Sequence, residues 1–186
     1  MTEREKQQRG LYYSTTDTQL VDMIHRSQRL CYEYNILPPY EEEKRKTAIH
    51  KLIPAIGKNF LIEQPFHCDY GINIEIGDNF YANYNLTILD CAKVQIGNNC
   101  FIGPNVGIYT PNHPLDAKTR NTLVEKALPV TIGDNVWIGG GVSILGGVKI
   151  GNNCVIGAGA VVTHSIPDNS LAVGNPARVM RTIENE

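Results

Sequence analysis

Aliphatic residues recur every six positions through the second half of the chain, at Ile132, Ile138, Ile144, Ile150, Ile156 and Val162. Glycine follows at Gly133, Gly139, Gly151 and Gly157, with Leu145 the exception. A second apolar column at Val136, Val142, Val148, Cys154 and Ala160 keeps the same period. Earlier copies run through Ile76, Ala82 and Ile88, and through Ile96, Ile102 and Ile108. A period of six is neither the 3.6 of a helix nor the alternation of a plain strand. Three such units close a coil of about eighteen residues with three short flat faces, each aliphatic pointing at the axis and stacking on its equivalent one coil away. Glycine and asparagine at Gly133-Asp134-Asn135 and Gly151-Asn152-Asn153 tolerate the backbone angles of tight corners. The pattern predicts a parallel β-helix. A β-sandwich or barrel would show alternating strands separated by turns of variable length.

Two stretches break the phase. Between Ile88 and Ile96 the step is eight residues, which implies a small bulge around Asp90 and Cys91. Between Ile108 and Val130 the sequence has no repeat signature and carries Pro111 and Pro114. A periodic array expels its insertions as loops on one side, where binding sites are usually built.

The start of the chain follows a different pattern. Leu20, Ile24, Ser27, Cys31 and Tyr34 recur at three- and four-residue steps, the stripe of an amphipathic helix, and Thr16 with Gln19 has capping-box spacing. Pro38 and Pro39 end that pattern, and Pro39 suits the first turn of a second helix running through Ala48, Ile49 and Leu52 to Pro54. The expected organisation is a helical cap over residues 1–54 and a β-helix over 55–186, with an extended loop at about 109–130 and a C-terminal tail.

Composition narrows the partners. Seventeen Lys and Arg against nineteen Asp and Glu leave a formal charge of −2, with no field of one sign to gather nucleic acid or an anionic membrane. No apolar run approaches the ~20 residues of a membrane span, and the start has no signal-peptide pattern. Five widely spaced cysteines without a CxxC pair fit a reducing compartment, so the expected location is cytoplasmic.

Chemistry is sought at the interruptions. His113 lies in the unpatterned stretch, outside the apolar columns, and an imidazole can take a proton from a hydroxyl and return it to a leaving group at neutral pH; an ordinary surface histidine is the plainer reading. The other histidines share no short metal-ligand spacing with Asp, Glu or Cys, so no metal is expected. In Phe80 to Asp90, Asn83 and Asn85 could orient a hydroxyl and Tyr81 and Tyr84 could stack on a sugar ring, or the asparagines could simply stabilise corners. Asp69 has the same two readings. Trp137, directly before Ile138, should project outward, toward a flat ligand, another subunit or the N-terminal helices. Arg178 and Arg181, on one helical or turn-like face, could meet phosphates or be solvated. No phosphate-binding Gly-rich loop and no strand-introduced GxGxxG is present, so kinase, ATPase and dehydrogenase readings lose their main supports.

With these positions in view, the sequence resembles the maltose and galactoside O-acetyltransferases of the hexapeptide-repeat acyltransferase superfamily. The likeness rests on the helical start, Phe66 to Gly71, Phe80 to Asn85, Asn112 to Pro114, Pro129 to Gly140 and Gly174 to Arg178. It implies a left-handed β-helix, a homotrimer with active sites between subunits, acetyl-CoA as donor, no metal, and a sugar hydroxyl as acceptor. It further implies His113 as catalytic base and Asn83, from the neighbouring subunit, near the acceptor. Asp69 and Tyr81 match acceptor-side positions, and Asp17 and Asp90 fall near acceptor-side acids. On the donor side Trp137 lines the cleft, and Gly140, Gly141, Ala158 and Ala160 follow the pantetheine path. Thr163, Arg178 and Arg181 lie toward the adenosine and its phosphates. His164 stands where a lysine is usual, which implies weaker or pH-dependent CoA affinity. Other acceptors (an oligosaccharide, an amino sugar nitrogen, an antibiotic hydroxyl) remain open, as does a trimeric scaffold without turnover.

Overall fold

The computed structural model describes residues 1–184. Three helices and one short strand open the chain: α1 Glu3–Gln8, β1 Tyr13–Ser14, α2 Thr18–Asn35 and α3 Glu42–Leu52. The cap of α2 is Asp17, whose carboxylate accepts from the Leu20 amide at 3.2 Å, so the helix starts one residue later than the Thr16 spacing suggests. α3 begins after Pro39, whose carbonyl instead accepts from the Arg45 guanidinium at 3.1 Å.

Left-handed coils follow. The first contains β2 Ala55–Ile56, β3 Leu61–Ile62 and β4 Phe66–Cys68; the second β5 Ile74–Ile76, β6 Tyr81–Ala82 and β7 Leu86–Leu89; the third β8 Val94–Ile96, β9 Phe101–Ile102 and β10 Gly107–Tyr109. The chain then leaves the coil as β11 Pro111–Asn112, α4 Ala117–Arg120 and β12 Val124–Ala127. It re-enters through β13 Val130–Ile132, β14 Trp137–Ile138 and β15 Ser143–Leu145, and a fifth coil holds β16 Lys149–Ile150, β17 Val155–Ile156 and β18 Val161–Val162. β19 Ser170–Val173 continues the second face, and β20 Arg178–Thr182 folds back antiparallel upon it.

Each coil thus contributes one strand to each of three parallel sheets. The expected column lines a common axis: Ile132, Ile138, Ile144, Ile150, Ile156 and Val162 are each at most 2% exposed. They join one core that also takes in Cys31, Tyr34, Ile49 and Leu52 of the cap, so the helices close the first coil by burying their own stripe.

The corner between faces one and two is built by asparagines. Asn59, Asn79, Asn99, Asn135, Asn153 and Asn169 all adopt φ between 54 and 58°, a left-handed conformation that asparagine reaches at lower cost than other side-chain-bearing residues. Their amides bond one another from coil to coil at 2.9–3.2 Å.

The corner between faces three and one is where the coil varies. Ile56 pairs with Ile76 and Ile76 with Ile96, twenty residues apart each time, whereas Ile132 pairs with Ile150 after eighteen. The additional residues lie at Asp69–Asn73 and Asp90–Lys93, and the excursion of residues 110–129 leaves from the same edge. The unpatterned stretch is not a bare loop: β12 pairs antiparallel with both β11 and β1, making a three-stranded sheet whose third member comes from the N-terminus.

Candidate active site

The variable corner gathers polar groups from four segments. β1 pairs Tyr13 with Glu125, and β11 pairs Asn112 with Lys126. One step further along that register sets His113 opposite Glu125. Directly opposed residues of antiparallel strands carry their side chains on the same face, so Tyr13, Glu125 and His113 form a row across the small sheet. The Tyr13 hydroxyl donates to Glu125 Oε1, and Glu125 Oε2 lies 3.8 Å from His113 Nε2. His113 Nδ1 is 3.4 Å from the Val124 carbonyl. Its side chain is 56% exposed against 13% for Glu125, so a supported imidazole faces open space.

Beneath the row sit the corner residues of the lower coils. Asp69 accepts from the Cys91 thiol at 3.2 Å, and burial together with the nearby Glu125 charge raises its carboxyl pKa. Asp90 has a different task from the one the resemblance implies. It is fully buried, and its carboxylate accepts from the amides of Asp69 at 3.1 Å, Tyr70 at 2.8 Å and Asn73 at 3.3 Å. It therefore holds the bulge closed and presents nothing to a ligand. Burial pushes its pKa up to about 6, against the lowering effect of those amides. A small apolar cluster of Tyr13, Leu20, Tyr70, Cys91 and Ala127 packs behind these groups, and Asp17 stands at the head of α2 three residues after β1.

A second set of the expected residues lies elsewhere. Tyr81, Asn83, Trp137, Gly140 and Ala158 line one groove of about 770 Å³ on the second face. Its outward column runs in register through Tyr81, Phe101, Trp137, Val155 and Leu171. Trp137 does project outward, 57% exposed, and Phe101 beside it is 53% exposed. Glycine is required at the rim because the coils stack closely: a Cβ on Gly139 would meet the Ala158 amide nitrogen at 2.6 Å. Gly141 turns the chain at φ +69°. Ala160 does not face this groove; it is fully buried, its amide is bonded to Gly157 and its carbonyl to the Ser143 amide.

Arg178 and Arg181 extend the second face on strand β20, not on a helix or turn. Three residues apart in a regular strand they would point oppositely, but the register shift between Leu171 and Ala172 pairs Arg181 with Leu171 and Arg178 with Val173. The bulge returns both guanidiniums to the outward side. From Tyr81 to Arg181 the ladder has five strand-to-strand steps, ~24 Å at ~4.8 Å each. Thr163 and His164, by contrast, follow β18 at the variable corner, with the Thr163 hydroxyl 2.8 Å from His164 Nδ1.

Within one chain, therefore, the expected residues separate into a His113 edge and an Asn83–Trp137 groove at opposite ends of the third face. Sequence reasoning missed Tyr13 and Glu125, and saw Cys91 only as part of the bulge. Among the described residues no group of three or more His, Cys, Asp or Glu could hold a metal ion, and no helix is long and apolar enough to cross a membrane.

Comparison with known proteins agrees with this architecture. A family model described as "maltose acetyltransferase hexapeptide capping motif" matches residues 6–57, "bacterial transferase hexapeptide (six repeats)" matches 129–164, and "hexapeptide repeat of succinyl-transferase" matches 93–111. The chain is 46% identical over 160 residues to a galactoside O-acetyltransferase of Escherichia coli K12, covering 86% of this chain and 79% of that one. A crystal structure of a maltose O-acetyltransferase from Clostridium difficile 630 superposes with a TM-score of 0.98 at 49% identity, over 100% of this chain and 99% of that one. A galactoside acetyltransferase in complex with coenzyme A gives 0.96 at 43% identity, over 99% and 92%.

Proposed function

The chain belongs to the hexapeptide-repeat acyltransferases, in the branch of the maltose and galactoside O-acetyltransferases, and on that premise we propose that it acetylates a sugar hydroxyl. At the coarser level it is an acetyl-CoA-dependent acetyltransferase acting on a small acceptor. The observation that carries the finer reading is the Tyr13–Glu125–His113 row, a supported imidazole at an open, polar corner.

In the proposed reaction the Nδ1–H tautomer of His113 donates to the Val124 carbonyl, which leaves Nε2 as the base. As Nε2 takes the acceptor's hydroxyl proton, the oxygen attacks the thioester carbonyl carbon. Collapse of that adduct breaks the C–S bond, and the imidazolium returns its proton to the departing thiolate, giving ester and free CoA. The Glu125 carboxylate stabilises the transient imidazolium, and the Tyr13 hydroxyl holds that carboxylate in place. Asp69 and Asp17 border the same corner and receive acceptor hydroxyls.

The donor lies along the second face. Trp137, Gly140, Gly141 and Ala158 flank the pantetheine arm, and Arg178 and Arg181 take the phosphate end together with Thr163 and His164 of an adjacent chain. The working unit is a homotrimer in which the His113 edge of one subunit meets the Asn83 groove of the next, so that Asn83 and Tyr81 reach the acceptor. Separation of the two halves on a single chain supports this, as do the exposed Phe101 and Trp137 on the groove and Leu115, 97% exposed at the tip of the excursion.

The test is thiol release from acetyl-CoA with a panel of maltose, glucose, galactosides, an oligosaccharide, an amino sugar and an aminoglycoside. Release with neutral sugars, giving an alkali-labile ester, is expected. Release only with amines would move the acceptor to nitrogen, and no release with any acceptor would favour a scaffold. Sedimentation should give three chains per particle.

A further inference from the structure

Cys31 on α2 and Cys68 at the end of β4 bring their sulfurs to 3.9 Å, and both are buried. The helix is pinned to the first coil on either side of this contact. One turn before it, the Ser27 hydroxyl donates to the Asp69 carbonyl; one turn after it, Asn35 Nδ2 donates to the Phe66 carbonyl and the Phe66 amide donates back to Asn35 Oδ1, both at 2.9 Å. Gln64 adds a bond to the Tyr34 carbonyl at 2.6 Å. The sulfurs are therefore held side by side by the backbone around them. A cavity of about 450 Å³ reaches both, walled also by Gln28, Tyr32, Pro65 and His67, which gives a small reagent a path to the pair. The other three cysteines are differently placed: Cys91 donates to Asp69, and Cys100 and Cys154 sit in the apolar columns with their thiols donating to the Gly133 and Pro167 carbonyls at 3.2 and 3.1 Å.

We propose that Cys31 and Cys68 are an oxidisable dithiol that closes to a disulfide, stapling the helical cap to the first coil. The oxidant is a low-molecular-weight disulfide such as glutathione disulfide. The Cys31 thiolate attacks one of its sulfurs and releases one glutathione thiol; the Cys68 thiolate then attacks the mixed disulfide at Cys31 and releases the second. Two thiol protons and two electrons leave the protein, and two glutathione thiols form. The Cys68 thiol, hydrogen-bonded to Cys31, lowers the Cys31 pKa and so makes Cys31 the first nucleophile. Bonding requires the sulfurs to close from 3.9 Å to ~2.05 Å. The bridge joins positions 37 residues apart, long enough to restrict the unfolded chain substantially.

Full-length protein incubated with glutathione disulfide should lose two hydrogens by intact mass and yield a peptide linking Cys31 to Cys68. Its Tm should rise by roughly 5–10 °C, and dithiothreitol should reverse both changes. Cys31→Ser and Cys68→Ser should abolish the rise and accumulate at most one glutathione adduct, with Cys31→Ala and Cys68→Ala as apolar versions should serine unsettle the core; Cys91→Ser should keep the rise. A stable glutathione adduct without the linked peptide, a link through another cysteine, or an unchanged Tm in the bridged protein would overturn the proposal.

Discussion

Replacing Glu125 by glutamine removes one charge from the row behind His113 while keeping its shape and its capacity to accept from Tyr13. The separation of 3.8 Å between Glu125 Oε2 and His113 Nε2 sets the scale. Opposite unit charges at that distance attract by about 4 kcal/mol at an effective dielectric of about 20 and by about 1 kcal/mol in bulk water. The imidazole is 56% exposed while the carboxylate is 13% exposed, so solvent screens the pair and the lower half of that range applies, about 1–2 kcal/mol. In the proposed reaction the charge pair forms as Nε2 takes the acceptor's proton, so the loss should fall on kcat, by about 5–30-fold. Tyr13→Phe leaves the charge but frees the carboxylate to turn, and should cost less. The assay is continuous thiol release at saturating acetyl-CoA with the acceptor varied. A Glu125→Gln enzyme with the parent kcat and only a raised acceptor KM would refute the reasoning, because Glu125 would then hold the acceptor and not the transition state.

Four further outcomes follow from the structure. His113→Ala should keep the fold and CoA binding, measured by calorimetry, yet lose about 10²–10⁴-fold in turnover; an undiminished rate removes it from the mechanism. Asp90→Ala should destabilise the protein by about 2–4 kcal/mol in urea unfolding, since three backbone amides lose their acceptor. Asp90 also has a pH signature: its folded pKa, about 6, lies above the ordinary aspartate value of 3.8, so the folded state binds the extra proton. Its contribution to stability should then fall as pH rises between those values and stay level above them, a slope that Asp90→Asn should erase. Asn135→Ala, at φ +56° within the amide ladder, should cost about 1–2 kcal/mol, and Asn135→Gly, free of the backbone penalty, should cost less; equal losses would place the whole effect in the side-chain bonds.

The coil was readable because its core repeats: from Ile132 to Val162 an aliphatic returns every six positions, and that interval fixes the cross-section. The longer lower coils were only half visible. The step from Ile88 to Ile96 betrayed the bulge, but nothing local showed that Asp90 turns inward to bind amides; a carboxylate buried against backbone donors reads in sequence like one facing a ligand. The excursion was recognised only as a gap, since the partner that orders β12 is β1, some 110 positions away. Tyr13 and Glu125 went unnoticed for that reason: their pairing belongs to the three-stranded sheet and leaves no periodic trace. Ala160 was misplaced for the opposite cause, because a small residue fits a rim and a packed column equally well. Met180 shows a subtler limit, for only the bulge around it brings Arg178 and Arg181 to one side.

All departures from strict repetition fall on a single edge of the prism, the one between faces three and one. Residues can be added or removed there without disturbing the register of the stacked sheets, which is carried by the other two edges and the axis. The molecule thus separates what must stay invariant to fold from what can be rewritten to choose a substrate. Exchanging only the exposed tip at 115–121 for another turn of equal end-to-end span keeps His113, Glu125 and the pairing of β12 with β1 and β11, and should alter acceptor choice while leaving the melting behaviour nearly untouched.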